Sequence, residues 1–469
     1  MNRIRKVLIT VHKFFPEHRA GTEVLTLNIA KELQARGYEV LVVTANPPDV
    51  DARRKEGDIA ETSDYEFEGV PVHVIEEPLR LKDYRFSFEY EHPHVAAHFR
   101  ELCSRFKPDI LQIVHAQNHS AAIIDVAEEL NIPTFFYSTD FWFVCPIVQL
   151  KRPDGAVCRG PGPGAIKCLD CYTPKLFPPL EEFEEALNNR FAGARKNSAV
   201  HKIAAPSLYA AYIAAKSPDA ISATLRRPRR LREAANKLKA IMVPTRLMHD
   251  VFVENGIKDK LIHHVPFGIR LEALTAHVQK VPSDIIRIGF IGTLFEHKGV
   301  DLLIKAFLAL PSDAKCNLSI YGSTDQFPEY GKKLLDMAAD GSKNAEKISF
   351  KGTFPQAQFG EILSKLDVLV IPSRWYENTP LVMQSALATK TPLIATDLGG
   401  MAEIIENGKT GLLFKLNSWE SLKEQLLRIV NEPELLEKFR SAIKDERSVE
   451  DMVDDIEKIY ASNLDFRHH

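Results

Sequence analysis

Short continuous apolar runs alternate along the chain with longer stretches whose apolar residues recur at helical spacing. That pattern is expected of strands buried on both faces and separated by amphipathic helices. Arg5 to Thr10 is a β-branched run with Lys6 at its polar end. After the loop Phe14-Phe15-Pro16-Glu17-His18-Arg19-Ala20-Gly21, the residues Val24, Leu25, Leu27, Ile29, Ala30 and Leu33 keep a helical period. Thr22 is expected as the N-cap of this helix and Gly37 as the C′ residue that ends it. Val40 to Thr44 then reads as a second strand, which completes a βαβ unit of a parallel sheet.

The alternation continues with a strand at Asp109 to Val114, a helix at Ala121 to Leu130 and a strand at Pro133 to Ser138. It breaks over Leu150 to Pro179, where Cys, Gly and Pro cluster without a period; this is predicted to be an insertion, either ordered by something or mobile. Helical character resumes at Glu181 to Arg195. Arg226 to Arg232 holds five arginines around Pro228 and leads through a helix to Ile241-Met242-Val243-Pro244. A second block follows, with strands at Ile286 to Ile291, Asn317 to Tyr321, Lys347 to Lys351, Asp367 to Ile371 and Pro392 to Thr396. Its helices are expected at Gly299 to Ala309, at Pro380 to Ala388 and from Trp419 onward. Two doubly wound α/β domains are therefore predicted, 1–267 and 268–447, with a closing helix in 448–469. Such sheets bind ligands at the carboxyl ends of their strands, so two facing sheets imply a central cleft.

Composition narrows the function classes. The 469 residues carry 60 Lys plus Arg against 63 Asp plus Glu, a formal charge of −3. That balance lacks the basic footprint of a nucleic-acid binder. The first apolar run, Val7 to Thr10, is too short for a signal peptide, and Ile203 to Ala215 falls below the roughly 18 residues of a membrane span. The expectation is a cytoplasmic protein with no spanning segment.

Three strand-to-helix junctions carry candidate chemistry. In the first, Gly289 to Gly299, Gly292 and Thr293 follow a strand, and Lys298 stands before a helix, a natural phosphate position. A surface lysine beside an ordinary turn has the same spacing. In the second, Ile371-Pro372-Ser373-Arg374-Trp375-Tyr376-Glu377-Asn378-Thr379-Pro380-Leu381, a strand ends in an arginine and a carboxylate. Thr379 is expected as an N-cap and Pro380 as the N1 residue. Glu377 could accept hydrogen bonds from sugar hydroxyls, or could simply complement a helix dipole. The third, Thr396-Asp397-Leu398-Gly399-Gly400-Met401-Ala402-Glu403, places paired glycines after a strand, for close backbone approach or for a tight turn.

The order and separation of these junctions resemble the retaining family-4-type glycosyltransferases of the GT-B fold, over nearly the whole chain. Asp367 to Leu413-Phe414 is the most specific portion. Phe15-Pro16 to Ala20-Gly21-Thr22-Glu23 resembles the family's loop near the donor diphosphate. Asp140-Phe141-Trp142-Phe143-Val144-Cys145-Pro146 resembles a branch with a cysteine-rich insertion, here about 145–179. The resemblance implies two Rossmann-like domains facing a cleft and a last helix that returns to the first domain. It implies transfer of a sugar from a UDP- or GDP-type nucleotide-diphosphate sugar to a glycan, glycolipid, lipid-linked or polysaccharide acceptor, with retention and without a catalytic metal. Glu377, Lys298 and His115 are the implied catalytic residues, with His119 as the alternative to His115. Donor binding is implied for Gly21, Thr22, Gly292, Thr293, Lys298, Arg374, Glu377, Asn378, Thr379, Pro380, Leu381 and Ser385. The chain departs from the family at Thr293, where an arginine is usual, at Ser385, where a second glutamate is usual, and at Thr139, where a histidine is usual. A weakened homologue that serves as a scaffold for another transferase is the alternative.

Cys145, Cys158, Cys168 and Cys171 have the spacing C-x12-C-x9-C-x2-C. That fits a four-thiolate structural site, for zinc ahead of an iron–sulfur cluster, or else reduced thiols in a surface loop. The arginine run could meet anionic lipid at a membrane surface, or form a solvated helix face.

Overall fold

The computed structural model describes residues 5–46, 64–76, 85–176 and 199–464. The helical reading of Glu181 to Arg195 and the last residues of the insertion, 177–179, lie outside them. The chain divides into two compact units. One comprises Met1–Met242, Asp250–His263 and Asn463–His469, and the other Val243–His249 and His264–Ser462.

The first sheet contains β1 (Lys6–Val11), β2 (Glu39–Asn46), β3 (Asp64–Phe67), β4 (Val70–Glu76), β5 (Ile110–Ile113), β6 (Thr134–Tyr137), β7 (Ala240–Val243) and β8 (Ile262–His264). Their order is β3-β4-β2-β1-β5-β6-β7-β8. β3 runs antiparallel on β4 at one edge, while β1 pairs in parallel with β2 and with β5. Every residue of β5, β6 and β7 is buried. Helices cover both faces of such strands, which is why their sequences read as unbroken apolar runs.

The second sheet contains β9 (Ile286–Ile291), β10 (Cys316–Tyr321), β11 (Ile348–Gly352), β12 (Val368–Ile371), β13 (Leu393–Thr396) and β14 (Gly411–Phe414), in the order β11-β10-β9-β12-β13-β14. The order reverses beside β9, which pairs in parallel with both β10 and β12. Loops after β9 and β12 leave such a switch point in opposite directions and open a crevice at the strands' carboxyl ends. Two apolar clusters flank this sheet, one built on Ile288, Phe290 and Val300, the other on Leu369, Met383 and Ala395.

Several local expectations are corrected. The first helix spans Gly21–Ala35 with Ala20 as N-cap, so Thr22 lies inside it and accepts a bond from Thr26 Oγ1 at 2.8 Å. Gly37 takes φ 87°, as a helix-ending glycine should. The arginine run does not precede a helix but lies in one, Ala199–Ala235. Arg227 is 1% exposed and forks onto Glu89 at 2.8 and 2.9 Å, and Arg230 pairs with Glu91 and Asp125. Two of the five cations are thus spent on internal ion pairs. The last helix, Val449–Asn463, starts against Ile269, whose N–H donates to Arg447 O at 3.0 Å and whose carbonyl accepts from Val449 N at 3.2 Å. Among the described residues no helix is long and apolar enough to cross a membrane.

Candidate active site

Two glycines bring the loops of the second unit together. Gly299 sits in the left-handed region, at φ 70°, and a Cβ there would stand 2.0 Å from Pro372 O. The loop after β9 can therefore lie directly on the loop after β12, and Arg374 N donates to His297 O at 2.7 Å across the contact. Gly400 plays the same part from the first turn of the helix Gly399–Ile404 that follows β13, since a Cβ on it would stand 1.7 Å from Asn378 O. Any side chain at either place would push these loops apart.

The contact sets Lys298 on Glu377, Nζ to Oε1, at 2.5 Å. Ser373 Oγ and Trp375 Nε1 donate to the same Oε1, each at 2.8 Å. Three donors thus converge on one oxygen, and Oε2 takes no bond among the described residues. Burial by itself would raise the pKa of this carboxyl. The Lys298 ammonium and the three hydrogen bonds overcome it and hold Glu377 below the usual range, so it is an anion at neutral pH. The ammonium also lies 5.6 Å from the Trp375 ring centre.

Arg374, expected at the donor, is held in an ion pair. Its Nη2 reaches Asp301 Oδ2 at 2.9 Å, while Tyr330 Oη donates to Oδ1 at 2.8 Å. Burial would raise Asp301, but Arg374 and Tyr330 draw it below its ordinary value. Arg374 therefore clamps the loop after β12 to the helix Val300–Leu308.

The remaining predicted positions lie around this core. Gly292 N donates to Tyr321 O at 3.0 Å, and Thr293 is exposed. Asn378 and Thr379 are buried. The helix begins one residue later than expected, at Leu381, with Pro380 as its N-cap. Thr379 is not the cap; its hydroxyl donates to Asn378 O at 2.8 Å. Ser385 Oγ donates to Leu381 O at 2.9 Å, within its own helix.

The first unit carries its own polar group, at the carboxyl ends of β1 and β5. His115 is 4% exposed and pairs through Nε2 with Asp140 Oδ2, while its Nδ1 accepts from Gln117 N at 3.1 Å. The imidazole proton accordingly belongs on Nε2, facing the carboxylate. His12 stacks on His115 with ring centres 4.0 Å apart and stands 3.7 Å from Glu23. Burial and the neighbouring His115 push His12 well below the usual histidine value, and burial pushes Glu23 up. His12 Nδ1 and Glu23 Oε2 have no hydrogen-bond partner in this buried group among the described residues. His119, the alternative to His115, lies in the core: its Nε2 meets Val11 O at 2.8 Å, and burial brings it down to about 4. Gly21 and Thr22 open the helix that carries Glu23.

Sequence reading found His115 but gave no role to His12, Glu23 or Asp140, nor to Ser373 and Trp375. The available signal was positional, since each follows a strand's carboxyl end or opens the next helix. The four insertion cysteines are free thiols. Among the described residues no three His, Cys, Asp or Glu side chains form a ready metal cage.

Two family models match the chain, Glycosyltransferase Family 4 over residues 19–151 and Glycosyl transferases group 1 over 276–446. The chain is a family-4-type glycosyltransferase homologue of the GT-B fold. An uncharacterized glycosyltransferase of Methanocaldococcus jannaschii is 32% identical over 146 residues, 31% of this chain and 38% of that protein. The poly(ribitol-phosphate) alpha-N-acetylglucosaminyltransferase of Staphylococcus aureus is 26% identical over 230 residues, 45% of this chain and 41% of the relative. The matches thus span well under two thirds of these relatives. Among solved structures, Anabaena HepE in complex with UDP-glucose aligns with a TM-score of 0.62 at 13% identity, covering 97% of this chain and 99% of that one. Sucrose-phosphate synthase from Thermosynechococcus elongatus aligns at 0.63 with 14% identity, covering 98% of each chain.

Proposed function

We propose that this GT-B protein transfers a sugar from a nucleotide-diphosphate sugar to a glycan, lipid-linked or polysaccharide acceptor, with retention of anomeric configuration. The observation that carries the reading is the Lys298–Glu377 pair at the sheet's switch point, with one carboxylate oxygen saturated and the other open. The open oxygen of a fixed anion suits a sugar hydroxyl. Lys298 has further N–H groups with which to meet the diphosphate, whose negative charge grows as the sugar leaves.

In this reaction the bond between the anomeric carbon and the phosphate oxygen breaks, and the bond to the acceptor oxygen forms on the same face. The acceptor's proton passes to the leaving phosphate, so no protein nucleophile is needed. His115, held by Asp140, serves the acceptor side. The HepE complex with UDP-glucose supports a uridine donor ahead of a guanosine one. A thermal-shift screen with UDP-, GDP-, ADP- and dTDP-sugars tests the reading, because a ligand that binds only the native state raises its stability by mass action. One nucleotide class should raise the melting temperature, and Lys298→Ala should abolish the shift. Folded protein that responds to none of them would overturn the transferase reading in favour of a scaffold. Proton NMR of the product's anomeric signal then decides retention.

A further inference from the structure

Helical period decides which of the five clustered arginines is buried. In the helix Ala199–Ala235 the buried residues Ala220, Ala223, Thr224, Leu231 and Ala234 recur at helical spacing and form an inward stripe. Arg227 falls on that stripe, between Thr224 and Leu231. The stripe lies along the segment from Phe86 to Glu91. Asp219 Oδ2 accepts from Phe86 N at 3.0 Å, and Ala223 O accepts from Tyr90 Oη at 2.9 Å. Arg227 forks onto Glu89, and one turn further Arg230 reaches Glu91 at 2.9 Å.

Stability alone does not call for a cation in this stripe. Desolvating an arginine and a carboxylate costs much of what their attraction returns, and apolar side chains of similar size do as well or better in such places. The guanidinium Nη1 also has no hydrogen-bond partner among the described residues. The pair supplies direction instead, because a planar guanidinium with two parallel N–H bonds fixes a carboxylate's plane as well as its place. What it directs is Trp142. Arg227 Nη2 donates to Trp142 O at 2.8 Å as well as to Glu89 Oε1, and the Trp142 indole donates to that same Oε1 at 2.7 Å. The guanidinium carbon stands 5.2 Å from the indole ring centre. Trp142 is thus held at its carbonyl, its ring edge and its ring face, fully inside the protein.

Trp142 in turn sets Asp140. Its backbone N–H donates to Asp140 Oδ1 at 2.7 Å, an Asx turn in which the carboxylate's direction follows the main chain two residues on. Ser138 Oγ donates to Asp140 O at 2.8 Å and secures the other side of the turn. With Oδ1 taken, Oδ2 is left to face His115 Nε2, while Gln117 N occupies His115 Nδ1. We propose that Arg227 and Glu89 are positioning residues, which act through Trp142 and Asp140 to hold His115 in one tautomer with its proton on Nε2. Every link joins buried or half-buried groups of the first unit, so a shift at the ion pair is passed on rather than absorbed by solvent. The service of His115 to the acceptor rests on the reaction proposed above, whereas the positioning chain does not.

The test is NMR of the imidazole nitrogens in full-length protein labelled at histidine, with the His115 signals assigned by their loss in His115→Gln. Wild type should show one tautomer, protonated on Nε2, and Asp140→Asn should mix the two. Removing one partner of the ion pair leaves the other charge buried alone and risks unfolding, so Glu89→Leu is combined with Arg227→Met. This double variant should keep a cooperative melting transition and yet mix the His115 tautomers as Asp140→Asn does. Trp142→Phe, which leaves the ion pair and removes the indole N–H, should give the same mixture. Turnover of the donor that the thermal-shift screen identifies should fall roughly 10²-fold in both, with the donor's shift retained. Arg229→Ala, exposed on the same helix, should change neither readout. A folded double variant, or Trp142→Phe, that keeps the single Nε2 tautomer overturns the proposal, as does a wild type protonated on Nδ1. The tautomer is read without any donor, so the positioning chain and the transferase reading can each fail alone.

Discussion

The two units hold buried polar groups of opposite character. Around Glu377 the second unit compensates a buried anion with an ammonium, a hydroxyl and an indole N–H, all on one oxygen. Around His12, His115, Asp140 and Glu23 the first unit leaves His12 Nδ1 and Glu23 Oε2 without partners among the described residues. Burial drives His12 and Glu23 toward their neutral forms. A compensated charge is a preorganised electrostatic device that needs no rearrangement when substrate arrives. Buried polar atoms left without partners cost stability until water or a ligand satisfies them. Function can draw on either, but the two respond differently to mutation and to pH.

The largest expected effect comes from breaking the compensated pair. Glu377→Ala and Lys298→Ala should each lower turnover by about 10²-fold or more, the scale of losing one transition-state electrostatic contact. Lys298→Met should also destabilise the second unit, by roughly 3 kcal/mol, because the buried carboxylate loses its counter-ion. Glu377→Gln should destabilise it less. Turnover assays and denaturant unfolding of the four variants check this, and unchanged rates would remove both residues from the mechanism.

Acidification should separate the units next. His119 is buried and neutral with a folded value near 4 against 6.5 for the free side chain. A histidine with a depressed value favours unfolding as protons are taken up, so its stability contribution is lost as pH falls from about 6.5 to about 4. At 1.36 kcal/mol per pH unit the loss is about 3 kcal/mol. His12 acts in the same direction. Glu377, depressed below the usual carboxyl value, withdraws stability only as pH falls below about 4.5 and through its folded value. Glu446 is raised to about 7 by burial, so the second unit gains stability as pH falls from about 7 to 4.5. Hydrogen exchange read by mass spectrometry between pH 7 and 4.5 should show the first unit losing protection while the second keeps it. Simultaneous loss in both units would erase the contrast.

Smaller effects sharpen the comparison. Gly400→Ala places a methyl group against Asn378 O and should destabilise the second unit by roughly 1–3 kcal/mol, as overpacking does, and lower donor affinity with it. Calorimetry and donor titration would register both losses. Ser385→Ala should change little, with stability within about 0.5 kcal/mol, because its hydroxyl bonds only within its own helix. A large loss of donor affinity in this variant would return Ser385 to the donor site.

Much of the fold was legible because the alternation of apolar runs and helical stretches is a local property of sequence. β1, β5, β6, β9, β12 and β13 fall where their apolar runs predict them, within a residue or two at each end. Capping was less legible. Thr22 and Thr379 have the right chemistry for an N-cap, yet the first helix begins two residues earlier than expected and the second one residue later. A cap depends on where the backbone turns, and that is settled by packing of the loops. The arginine run misled for a related reason, since a string of cations does not show which of them find carboxylates far along the chain.

Lys298 and Glu377 could be chosen from the sequence because each stands where a strand gives way to a helix, and the residue types suit anion and hydroxyl binding. Their meeting could not. They are 79 positions apart, and only close approach of the backbone at Gly299 and Gly400 lets the loops share one site. The order of strands and helices is thus a matter of local periodicity, which the chain carries in itself. Which oxygen of Glu377 is saturated, which arginines are consumed and which histidines are neutral depend on burial and on partners distant in sequence, and only the tertiary structure decides them.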